Sequence, residues 1–277
     1  MKSLVTSELK GHRPSLTGAL DADAKAFASY WQDETDALQR LPAEARVAGQ
    51  AASRAAFLGR HAATIYDRLT CGRRRFLRLD ELSTAAADLV PGLVPQAREL
   101  ADERQRKLAE KHGLEASIGH FFAAILEDEP SGLHLCHAML LPRPEALARL
   151  GELTRAGRID LGTATVERQG SASVVTLCNA RYLNAEDEGT LDALEIAVDL
   201  ALLDPLTEIC VLRGATVTHS KYAGRRVFGA GINLTHLYQG RIDFLWYLRR
   251  DLGFVNKMFR GLAYADRNAA EPGADTL

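Results

Sequence analysis

The run Arg225-Arg226-Val227-Phe228-Gly229-Ala230-Gly231-Ile232-Asn233-Leu234 holds two glycines one residue apart, between a loop and a helical region. Glycine opens backbone angles closed to other residues and lets a ligand approach the main chain. An amide N–H presented at such a bend can donate to an oxyanion. A dinucleotide-binding fingerprint is the rival reading, but its third glycine would fall at Leu234. The plain alternative is a glycine-rich bend without a ligand. Lys221, Arg225 and Arg226 are suited to phosphates or, equally, to solvent. His134, Cys136 and His137 lie close together, but a zinc site needs about four spaced ligands. On the apolar run Leu133–Leu141 the histidines read as core or partly exposed residues. Arg73-Arg74-Arg75 with Arg78 reads as a solvated charge run rather than a phosphate site.

The elements that must carry these groups fall into two parts. Residues 1 to 156 read as helical. Over 43–69, Val47, Ala51, Ala55, Leu58, Ala62, Ile65 and Leu69 recur every three or four positions, which predicts an amphipathic helix. Pro95 opens a second helix through Leu100 and Leu108, ending near Gly113. Ser117 is expected to cap a third, carrying Phe121, Phe122, Ile125 and Leu126, and Pro144 to open a fourth. The character changes at Gly157. Two β-rich runs from Thr163 to Cys178 meet at Gln169-Gly170 and predict a hairpin. A helix with Leu191, Leu194, Val198 and Ala201 on one face follows, ending at Asp204-Pro205. After the short strand Glu208–Gly214 and a loop over 215–231 comes a helix spaced by Phe244, Leu248, Leu252, Val255 and Phe259. The order argues for an α/β domain from 157 to 277 behind a helical N-terminal domain.

Composition sets the outer bounds. The 277 residues carry 34 Lys+Arg against 36 Asp+Glu, a formal charge of −2, with 47% apolar and 25% charged residues. These proportions exclude whole-chain disorder, a collagen-like fibre and a membrane protein. Near-neutral charge argues against bulk binding of nucleic acid. No stretch approaches the ~18 apolar residues of a membrane helix, and Met1–Thr6 begins no secretory signal. Cys71, Cys136, Cys178 and Cys210 stand singly, so reduced thiols and a cytoplasmic location are expected.

Taken together, residues 163–234 resemble the opening half of the crotonase (enoyl-CoA hydratase/isomerase) superfamily. The resemblance rests on the hairpin, Leu177-Cys178-Asn179-Ala180, the amphipathic helix, Asp204-Pro205, the strand ending Leu212-Arg213-Gly214 and the turn Phe228–Leu234. The family's turn usually ends Gly-Ala-Asp; its acid is Asn233 here. Two further segments, His219–Leu234 and Arg249-Arg250-Asp251-Leu252-Gly253, are similar to a cofactor-independent dioxygenase branch of glycopeptide-antibiotic biosynthesis. That branch also carries a long helical N-terminal extension.

The resemblance implies the first turns of a β-β-α spiral and an acyl-CoA thioester as substrate, with O2 as co-substrate. No metal or other cofactor, and no nucleic-acid or membrane partner, is implied. It assigns the first oxyanion donor to the Ile232 amide and an active-site role to Arg250. It sets Glu186, His219, Lys221, Tyr222, Ala230, Gly231, Asn233 and Leu234 at the substrate, with Leu234 an apolar wall for O2. A trimer-based hexamer is the implied assembly. A second oxyanion glycine cluster and the family's trimerisation helices have no counterpart, and Asn268–Leu277 reads as a polar loop. The expectation is therefore the N-terminal part of a longer protein, inactive alone. Two other readings stay open: another crotonase-type enzyme, a hydratase or thioesterase, and a non-catalytic helical interaction module.

Overall fold

The computed structural model describes residues 13–38 and 43–266. Met1–Thr6 and Asn268–Leu277 lie outside the described residues. The protein is mixed α/β, mostly helical, with one four-stranded sheet. It forms two compact units, the first ending at Leu135 and including Asp243–Leu245, the second taking the rest. The division falls between Leu135 and Cys136 rather than at Gly157, because the helix opened by Pro144 buries Ala146 and Leu153 in the core of the sheet.

The first unit is helical. It holds α1 (Leu20–Leu38), α2 (Ala43–Leu69), α3 (Leu79–Leu89), α4 (Ala97–Arg104), α5 (Glu115–Glu127) and the start of α6 (Glu129–Leu140). Phe27, Trp31 and Phe57 meet with ring centroids 5.1–5.3 Å apart. The predicted apolar stripe of α2 holds at Leu58, Ala62 and Ile65, but Ala55 is exposed. Arg54 and His61 share the buried face instead. Arg54 stacks over Trp31 and donates to Glu34 Oε2 at 3.1 Å and to the carbonyls of Gly92 and Leu93. A buried charge is tolerated when paired and hydrogen-bonded in this way. The helix expected from Pro95 to Gly113 breaks into α4 and a single 3₁₀ turn, Leu108–Glu110. Its acids and bases recur without an apolar stripe that could hold one long helix. Ser117 lies inside α5 rather than capping it; Leu114 holds the cap position.

The second unit opens with α7 (Pro144–Ala156), proline in its first turn and Gly157 left-handed at its end. Then come β1 (Arg158–Asp160), β2 (Ala164–Gln169), β3 (Ala172–Leu177), α8 (Glu188–Leu203) and β4 (Ile209–Gly214). The sheet order is β1-β2-β3-β4, antiparallel except for the parallel β3/β4 pair joined through α8. The predicted hairpin is present, with Gly170 at φ +65°, and β1 extends it. One sheet face, through Val166, Val175, Leu177 and Leu212, packs with Leu194, Val198 and Ala201 of α8. β4 is an edge strand exposing Ile209 and Val211.

The remaining elements are α9 (Leu234–Tyr238), α10 (Phe244–Arg250), a π-turn (Asp251–Val255) and α11 (Asn256–Arg260). The single helix expected over 244–259 kinks at Gly253, where ψ is −116°. A Cβ there would come within 3.3 Å of Glu195 Oε1. Lys257, fully buried, reaches Glu195 at 2.7 Å and Asp199 at 2.9 Å. Arg143 completes this network from the start of α7, its guanidinium on Glu195 and its N–H on Asp199. Among the described residues no helix is long and apolar enough to cross a membrane.

Candidate functional site

The glycine-rich bend is built from the loops after β3 and β4. Asn184, buried with φ +56°, joins three segments. Its Nδ2 donates to the carbonyls of Ala215 at 2.7 Å and Val227 at 2.9 Å, and its Oδ1 accepts the Asn179 N–H at 3.2 Å. Gly214 is required by this approach: a Cβ there would lie 2.1 Å from the Val227 carbonyl oxygen. Gly229 passes close to the Asn184 carbonyl, and Gly231 takes φ +80°.

Residues 231–233 then run parallel to Glu186. The Glu186 N–H donates to Gly231 C=O at 2.8 Å, and its C=O accepts the Asn233 N–H at 2.8 Å. In a parallel pair the residue bracketed by both bonds turns its own N–H and C=O the other way. That residue is Ile232. Its N–H meets no acceptor among the described residues, while its side chain packs on the sheet core. A backbone donor is thus held on a fixed bend, outside any helix or ladder bond.

Glu186 also brings a cation to the same place. Its carboxylate accepts Arg250 Nε at 2.6 Å and Nη2 at 2.9 Å, a two-pronged pair. Arg250 Nη1 donates to Asp251 at 2.8 Å, and the guanidinium lies over Phe254 at 5.5 Å. The hydrogen bonds that Arg250 donates to Glu186 raise its pKa further above its ordinary value. Arg250 is therefore more than a solvated helix residue. Helix capping belongs to the next residue: Asp187, buried, accepts the Gly189 N–H at 3.0 Å at the head of α8.

The structure brings together Glu186, Gly231, Ile232, Asn233 and Arg250. Asn233 is buried, with its side chain bonded to Asp187 at 2.8 Å and to the His236 N–H at 3.3 Å. That side chain is committed inside the fold, and the backbone N–H and C=O of Asn233 are taken by Glu186 and Leu237, so the structure offers no free polar group of Asn233 to a substrate. Leu234 opens α9 with 69% of its surface exposed, and Ala230 is exposed. His219, Lys221 and Tyr222 form a separate cluster in the loop after β4. The Lys221 ammonium and the Arg225 guanidinium lie 5.3 and 5.9 Å from the Tyr222 ring centre, and His219 lies 5.6 Å from it. No hydrogen bond or ring contact of theirs reaches Glu186, Ile232 or Arg250 among the described residues.

Sequence reasoning missed Asn184, Asp187 and His236. An acid just before a helix signals a cap; nothing in the sequence says which distant side chains it receives. His134 and His137 are used elsewhere, the first against Tyr66 at 2.7 Å, the second on the Tyr264 carbonyl at 2.9 Å. Among the described residues no group of three His, Cys, Asp or Glu side chains is placed to hold a metal ion.

These features define a mixed α/β protein with an unengaged main-chain donor beside an arginine–glutamate pair. No protein-family model matches the chain. It is similar to the (3,5-dihydroxyphenyl)acetyl-CoA 1,2-dioxygenase of Amycolatopsis orientalis, at 46% identity over 262 residues. That likeness takes in 90% of the chain, which spans 60% of the relative's length.

Proposed function

We propose that this chain is part of a cofactor-independent dioxygenase of crotonase type. It would convert (3,5-dihydroxyphenyl)acetyl-CoA and O2 to 3,5-dihydroxyphenylglyoxylate and CoA, on the route to an amino acid of glycopeptide antibiotics. The observation that carries the reading is the 46% identity to an enzyme of that name. The unengaged Ile232 amide supports it from the chemistry.

In this reading the thioester oxygen sits at the Ile232 N–H. Loss of an α-proton leaves an enolate, and a fixed dipole aimed at the developing charge lowers that barrier. The Arg250 fork, held by Glu186, faces a ring hydroxyl or an anionic oxygen. Leu234 adds an apolar wall for O2. The electron-rich carbanion reduces O2, and a C–O bond forms to give a peroxide at the α-carbon. The distal peroxide oxygen attacks the thioester carbonyl and expels CoA as its thiolate. The O–O bond then breaks as the second α-proton leaves, giving the α-keto acid. Both electron pairs come from the substrate. Lys221 and the neighbouring arginines would meet the CoA phosphates. By the same resemblance the assembled protein is a trimer-based hexamer in the cytoplasm.

The test is expression of the chain with its downstream coding region. The thioester is supplied under air with a chelator, and O2 uptake and free thiol are followed together. Uptake matched by CoA release is expected. Thiol release without uptake would indicate a thioesterase instead. Bound CoA without turnover would indicate a non-catalytic module.

A further inference from the structure

We infer that Asp187 is a positioning residue for the Ile232 amide donor, an inference that rests on the function proposed above. The buried Asp187 carboxylate receives more donors than a helix cap needs. Oδ1 accepts the Gly189 N–H at 3.0 Å. Oδ2 accepts Asn233 Nδ2 at 2.8 Å and Asn179 Nδ2 at 3.2 Å, and it lies 3.0 Å from His236 Nδ1. No Lys or Arg pairs with it among the described residues.

The arrangement grips Asn233 twice. The backbone of Glu186 takes its N–H, and the side chain of the next residue takes its amide group. With Gly231 C=O bonded to the same Glu186, the peptide that carries the Ile232 N–H is fixed on both sides. His236 lies beside the same oxygen from inside α9, its ring edge-on to Tyr182 at 5.1 Å. The amide donors of Asn179 and Asn233 converge on that one oxygen, which must be acceptor-only. An ionised carboxylate is acceptor-only; an amide is not.

That difference separates positioning from capping. Asn caps a helix about as well as Asp, so Asp187→Asn that keeps its oxygen on the Gly189 N–H turns an NH2 group toward these donors. A residue that only caps would tolerate the change.

The protein is made with its downstream coding region and given (3,5-dihydroxyphenyl)acetyl-CoA in D2O without O2. Exchange of the α-proton, followed by NMR, isolates enolisation from the oxygen step. D187N is expected to lower kcat for exchange at least tenfold with KM within threefold. The swap D187N/N233D, which restores an amide-to-carboxylate bond in reverse, is expected to recover most of the loss. A kcat within twofold of wild type, or a loss carried in KM that the swap leaves untouched, overturns the inference. Amide hydrogen exchange over residues 229–234 reads the bend without turnover. It should quicken at least tenfold in D187N and return in the swap; unchanged protection overturns the inference. Should D187N not fold, N233D alone sets two carboxylates face to face and must show the same loss. A wild-type protein that leaves the α-proton in place overturns the function itself, a result distinct from the variant comparison.

Discussion

Glu186 holds Arg250 with both carboxylate oxygens, at 2.6 and 2.9 Å, while its own backbone brackets Ile232 on either side. One residue therefore sets both the guanidinium and the amide donor. A planar fork matched to a carboxylate is not replaced by an ammonium.

Arg250→Lys and Arg250→Ala are both expected to lower turnover, Ala by about 10²–10³-fold, the usual cost of losing one charge-stabilising group. Glu186→Gln should reproduce much of the loss, and the double variant should fall little further than either single one. Oxygen uptake by the complete protein checks this. Additive losses would separate the two residues.

Gly214→Ala is expected to destabilise the fold by more than about 3 kcal/mol, since a Cβ would overlap two main-chain oxygens, at 2.1 and 2.3 Å. Gly59→Ala, mid-helix with nothing within 4 Å, should instead stabilise by roughly 0.5–1 kcal/mol. Urea unfolding of the two variants beside the parent protein reads both signs.

Lys257→Met removes the ammonium that Asp199 and Glu195 share, leaving Asp199 buried without that cation while Glu195 keeps Arg143. Breaking a buried pair from one side costs about 3–5 kcal/mol, so a large drop in unfolding midpoint is expected. Asp199 is already strained in this sense: burial pushes its pKa up to about 6 despite Lys257.

Asp23 behaves in the opposite sense. Burial would raise its pKa, but hydrogen bonds from Thr17, Gly18 and His61 outweigh it and hold the carboxyl well below the usual carboxylate range. A depressed native pKa gives stability that is present above the unfolded value, about 3.9, and is lost as pH falls below it. Asp23→Asn should therefore be less stable than wild type at pH 6, and the gap should narrow by pH 3. Thermal melts across that range would refute this if the gap stayed constant.

The periodic elements were legible in the sequence. The helix over 43–69, the Gly170 hairpin and the helix with Leu191, Leu194 and Val198 are all present, because a repeated apolar spacing admits few alternatives. Breaks were not legible. Gly253 bends a chain whose apolar spacing runs on unchanged, and Lys257 is buried only because two acids of α8 receive it. Glycine spacing marked the bend at 229–231, but not that Glu186 would flank it or that Asn233 would turn inward. Pairings between residues dozens of positions apart leave no local trace. Arg54 and His61 show the same limit: each looks like a solvent residue until its buried partner is known.

The unengaged donor at Ile232 exists because both bonds of the pairing with Glu186 go to its neighbours, Gly231 and Asn233. Along any such ladder, successive amides point to alternate edges. One residue inserted or deleted between Gly229 and Asn233 would exchange the inner and outer amides and aim a carbonyl where an N–H now stands. Length changes in this segment should survive selection only in even steps, whatever side chains they bring.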